Sequence, residues 1–148
     1  MKRQPKPIAF FSDENFEDMI THHQANIWGL RNEQERLRYI LEIAPAPLCK
    51  RYGIEPLEEA EDTLQAILRA DKAYQRESYR VSRIQAFLDG LSTEEAEYIK
   101  LRYFQGKQWS EVAKVLFLSI GSVRTRWKRR LLDRAKKMMV AEIINKEG

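Results

Sequence analysis

The sequence predicts an all-α protein: a long N-terminal helical hairpin followed by a C-terminal group of shorter helices, with domains at residues 1–88 and 89–148. Two observations carry this. Apolar residues recur at alternating three- and four-residue steps, the spacing of one helix face, through most of the chain. The 6 Gly and 5 Pro are too few for an extended disordered protein, while 43% hydrophobic residues are enough for packed helices.

Ser12 is placed to cap a first helix beginning at Asp13, with Asp13, Glu14, Glu17 and Asp18 near its positive end. That helix is expected to run to about Ile43, where Pro45 and Pro47 stop it. Phe16, His23, Leu30 and Leu37 recur every seventh residue along it, as do Ile20, Ile27, Gln34 and Leu41. Together they form a 4-3 seam interrupted by polar His23 and Gln34. A second seam follows Pro56 through Leu57, Ala60, Leu64, Ile67, Asp71, Tyr74, Ser78, Val81, Gln85 and Leu88. Ala44–Ile54, with two prolines and Gly53, is long enough to reverse the chain between them. The hairpin is read as a module for self-association or partner binding, with packing inside the chain as the alternative.

The C-terminal helices have sharper local signals. Ser92 with Glu95 three residues later is a capping box, and Ala96, Ile99 and Tyr103 give its helix an apolar face. Gly106 suits a helix end. A second helix is expected from about Trp109 to Phe117, with Val112, Ala113 and Leu116 facing inward. Ser119 then caps a third helix whose Val123, Trp127 and Leu131 lie four apart on one face, so Trp127 and Trp109 are assigned to the core. The opposite face carries Gly121, Ser122, Thr125, Arg126 and Arg129, small or basic groups suited to a major groove.

Leu91–Leu132 resembles the helix-turn-helix of region 4 of sigma-70 factors, over about 45 of the 148 residues. The resemblance is carried by Gly106, Trp109-Ser110, Glu111, Val112-Ala113 and the run Ser119 to Arg126. The helix-turn-helix of LuxR-type response regulators shares the pattern and stays open as an alternative. Phe117 stands where these families usually carry Gly, which predicts a turn that is longer or differently bent. The acidic, hairpin-patterned N-terminal half lacks the aromatic and basic motif of a sigma region 2. Size and layout are therefore similar to phage and prophage regulators of the RinA and ArpU type. The resemblance implies a DNA-binding transcription regulator, expected to be an activator, that recognises promoters with its third helix and acts with host RNA polymerase. It also implies a cytoplasmic, nucleoid-associated location and, as in many helix-turn-helix proteins, a homodimer. Two other classes stay open: a viral DNA-packaging adaptor resembling a small terminase subunit, and a polymerase-binding appropriator or inhibitor.

Charge agrees with a polyanion partner. Residues 1–90 hold 13 basic and 15 acidic residues, net −2, and residues 91–148 hold 13 and 7, net +6. Eight cations lie within Arg124–Lys137 against Asp133 alone. Helical spacing puts Arg126, Arg129 and Lys136 on one side, Arg124 and Lys128 on another. The expected DNA contacts are Ser119, Gly121, Ser122, Arg124, Thr125, Arg126, Lys128, Arg129 and Arg130, with most cations on phosphates and few on bases. Five to seven phosphate contacts would give a slope of log K on log salt of about −4.5 to −6.

The remaining features point away from other classes. Adjacent His22 and His23 do not form a chelating i, i+4 pair, so no metal is expected. There is no phosphate-binding Gly-rich loop and no nucleophile motif, so neither catalysis nor a cofactor is expected. The single Cys49 cannot form an intramolecular disulfide and reads as a small apolar residue in a reducing cytoplasm. No apolar run reaches the roughly 20 residues of a membrane span, and Ile8–Phe11 is too short for a signal peptide.

Overall fold

The computed structural model describes the backbone of residues 13–147 and the side chains of residues 15–138, so the expected Ser12 cap lies outside the described residues. Every regular element among them is helical. The α-helices are α1 (Asp13–Thr21), α2 (His23–Ile43), α3 (Pro45–Tyr52), α4 (Ala60–Ala70), α5 (Lys72–Asp89), α6 (Thr93–Ile99), α7 (Trp109–Leu116) and α8 (Lys128–Glu147). Lys100–Phe104 and Ser122–Trp127 are π-helical segments. Among the described residues no helix is long and apolar enough to cross a membrane.

Three breaks replace the two uninterrupted helices expected before residue 89. The first falls at His22, where the Asp18 carbonyl takes the His22 backbone N–H at 2.9 Å and also lies 2.9 Å from His22 Nδ1. The second is α3, in the segment read as a plain reversing loop. Pro45 and Pro47 end α2 but also open α3, because a helix's first turn has no use for the missing N–H. Gly53 closes α3 at φ 65°, with Gly53 N–H on the Lys50 carbonyl and Ile54 N–H on that of Cys49. The third break is Asp71. It leaves helical geometry at φ −83°, ψ 103°, and its Oδ1 accepts the Tyr74 N–H at 3.0 Å, so it caps α5. Asp71 Oδ2 accepts the Tyr52 hydroxyl at 2.9 Å, and Gln34 donates to the Tyr74 hydroxyl. Both polar seam residues thus find partners inside the chain.

The chain forms two compact units, one of residues 23–82 and one of residues 13–22 with 83–147. In the first, Leu37 and Leu41 of α2 pack with Leu48 and Cys49 of α3 and with Leu64, Ile67 and Leu68 of α4. Leu57, at the head of the second seam, is half exposed, because α4 starts only at Ala60. In the second unit, Phe16, Met19 and Ile20 of α1 and Ile84 and Phe87 of α5 share one core with Tyr98, Ile99, Val112, Val123, Trp127 and Leu131. The division differs from residues 1–88 against 89–148, since those five apolar side chains are buried with the C-terminal helices.

Candidate nucleic-acid interface

The frame of the second unit is set by local signals. Ser92 Oγ accepts the Glu95 N–H at 3.2 Å, and Glu95 Oε1 accepts the Ser92 N–H at 3.0 Å, which closes the capping box. Glu95 is itself buried and takes a bidentate pair from Arg134 of α8, both bonds 2.8 Å. Burial would raise the Glu95 pKa, but the Arg134 pair and the Ser92 backbone outweigh it and hold the carboxyl below its ordinary value. Ala96 is exposed, contrary to the expected apolar face. The inner face is instead Glu95, Tyr98 and Ile99, continued by Leu101 and Tyr103 where the helix widens.

Tyr98 is the centre that sequence reading passed over. It is fully buried, with ring centroids 5.4 Å from Trp127, 6.0 Å from Trp109 and 6.4 Å from Tyr103. Its hydroxyl donates to the Val123 carbonyl at 2.8 Å, tying α6 to the π-helical turn Ser122–Trp127. Burial pushes the Tyr98 pKa up, so the group stays a protonated donor. Trp127 is buried as expected, and Trp109 packs half-buried against the same core.

The turn between α7 and the next helix keeps its short form. Leu118 N–H bonds the Ala113 carbonyl at 2.9 Å and Phe117 N–H the Lys114 carbonyl at 3.3 Å, the paired bonds of a glycine-type helix end. Phe117 supplies the left-handed residue, at φ 56°, ψ 42°, and is 94% exposed. The expected longer or differently bent turn is thus replaced by the glycine conformation imposed on a phenylalanine. Ser119 caps the following helix: its Oγ accepts the Ser122 N–H at 3.1 Å and donates to Ser122 Oγ at 2.9 Å. Val123, Trp127 and Leu131 all face inward, and the widened turn takes up the drift that four-residue steps accumulate on a 3.6-residue helix.

Two shallow grooves flank the outward side of this helix. The first is lined by Ser119, Gly121, Ser122, Thr125, Arg126 and Arg129, and holds no acidic residue. The second shares Thr125 and Arg129 and adds Arg124, Lys128, Leu132, Asp133 and Lys136, together with Glu17, Arg102 and Trp109. Lys136 therefore stands with Arg124 and Lys128, and Arg129 with both sides.

The cations differ in what they already hold. Arg124, Arg126 and Arg129 are exposed, and none makes an ion pair among the described residues. Lys128 Nζ is 2.5 Å from Glu17 Oε1. Arg130 lies 4.6 Å over the Trp127 ring and 3.8 Å from Glu95, and Arg134 is committed to Glu95. Arg102 is an addition: its guanidinium lies 4.1 Å over Trp109 and donates to the Lys107 carbonyl at 3.0 Å, which fixes it at the rim of the second groove. Gly121 sits in right-handed helical geometry at φ −60°, ψ −39°, yet a Cβ there would meet nothing within 4 Å. Neither backbone nor packing within the chain calls for glycine at that position.

Compared with known protein families, known proteins and solved structures, the chain matches none.

Proposed function

We propose that residues 91–138 form a helix-turn-helix that binds double-stranded DNA, with the helix opened by Ser119 entering the major groove. The observation that carries this is the first groove: a capped helix end whose outward face offers two small residues, two hydroxyls and two unpaired arginines, with no carboxylate. Polar and basic groups on one helix face match what base edges and phosphates offer, and a B-form major groove about 12 Å wide admits one helix. Gly121 supports the reading, because open space above a helical glycine lets a backbone or base edge approach closely. The resemblance to sigma region 4 supports the finer reading, a phage-type transcription regulator acting at promoters with host RNA polymerase.

The ion pairs revise the expected salt dependence. With Lys128, Arg130 and Arg134 already engaged, three to four phosphate contacts give a slope of log K on log salt of about −3 to −4. The first test is selection of bound fragments from genomic DNA at physiological salt. Recovery of a few sites upstream of genes is expected, and Arg126→Ala should then weaken the selected site by about 1–3 kcal/mol if it grips a guanine. Uniform recovery would refute sequence-specific binding. Recovery beside packaging genes by a many-copy ring would replace the regulator with a packaging adaptor.

A further inference from the structure

The second groove contains a carboxylate that DNA binding does not call for. Glu17 comes from α1, yet it sits in the groove wall with Arg102, Arg124 and Lys136, and its Oε1 is 2.5 Å from Lys128 Nζ. It cannot easily move away, because Phe16 beside it and Ile20 one turn on are both fully buried in the core beneath. Resting on the DNA-binding reading, we propose that Glu17 is a charge gate: it holds Lys128 back from phosphates and so restrains binding that is independent of sequence.

The physical basis is the source of non-specific affinity. Each phosphate neutralised by a free cation releases a counterion, and this term does not depend on base sequence. A lysine already paired with a carboxylate contributes little to it until the pair is broken. The same carboxylate repels any phosphate approaching the groove it lines. The first groove, which holds Arg126 and no acid, is left untouched. Glu17 therefore lowers affinity for arbitrary duplex while sparing the face that would read bases, and raises the ratio between the two.

The test is Glu17→Gln, which keeps shape and removes charge, measured against random-sequence duplex and the selected site over a salt series. Binding of random duplex is expected to tighten by roughly five-fold at physiological salt, with a slope steeper by about 0.9, the signature of one added phosphate contact. The gain should vanish in the double variant Glu17→Gln with Lys128→Gln. Unchanged or weaker binding by Glu17→Gln overturns the gate, as does a gain that survives loss of Lys128. If neither the wild type nor any variant binds duplex at low salt, the DNA-binding reading itself is refuted. Wild-type binding that Glu17→Gln leaves unaltered refutes the gate alone.

Discussion

Gly121→Ala separates a folding effect from a binding effect. Position 121 has right-handed helical angles, and an added Cβ would touch nothing within 4 Å. Alanine therefore fits without strain and removes backbone freedom from the unfolded chain, which stabilises a protein by about 0.4–1 kcal/mol. In a chain of this size that corresponds to a rise in Tm of roughly 1–4 °C, read by far-UV circular dichroism. If DNA closes over the first groove, however, the new methyl group occupies space that the duplex needs. An overpacked contact typically loses about 1–3 kcal/mol, or roughly five- to hundred-fold in affinity for the selected site. The expected outcome is thus a more stable protein that binds worse. A stabilised variant with unchanged affinity would show that nothing approaches Gly121, and the first groove would cease to be the contact face. A destabilised variant would contradict the open space itself.

Three further outcomes follow from the packing. Phe117→Gly should raise stability by about 0.5–1.5 kcal/mol in denaturant unfolding, because glycine escapes the left-handed strain that phenylalanine bears; a loss would mean that the exposed ring holds something in place. Trp127→Ala should cost about 3–5 kcal/mol, since the ring is buried against Tyr98; an unchanged Tm would move Trp127 out of the core. The Glu95 pKa is lowered in the folded state, so the stability it contributes is present above the ordinary value of 4.5 and is lost as pH falls through the lower folded value. Arg134→Met should cost about 1–3 kcal/mol at neutral pH and move the Glu95 titration upward, followed by NMR; a stationary Glu95 pKa would show that Arg134 is not its partner in solution.

What sequence could show here was set by how local each signal was. The Ser92–Glu95 box, the Ser119 cap and the inward Val123, Trp127 and Leu131 depend on residues within a turn or two, and all appear as read. Ala96 was placed inside because periodicity was counted from the wrong member of the turn; the buried neighbours Glu95 and Tyr98 flank it. A carboxylate destined for a buried arginine pair looks like any other helix-start acid until its partner is known. Pro45, Pro47 and Asp71 are each residues that end one helix and begin the next, and only the ending was read. Glu17 beside Lys128, and Arg102 over Trp109 at the groove rim, are products of tertiary packing that spacing along the chain does not encode.

The core formed by Phe16, Met19 and Ile20 with the C-terminal helices makes the chain nested rather than sequential. Residues 23–82 are an insertion into a unit whose two parts close around it in sequence. A fragment that starts at residue 89 would thus leave an uncovered apolar surface where α1 and the end of α5 belong, whatever its intrinsic affinity for a ligand. In evolutionary terms the inserted segment is the exchangeable part, free to grow, shrink or be replaced so long as its ends still deliver α1 to the core it completes.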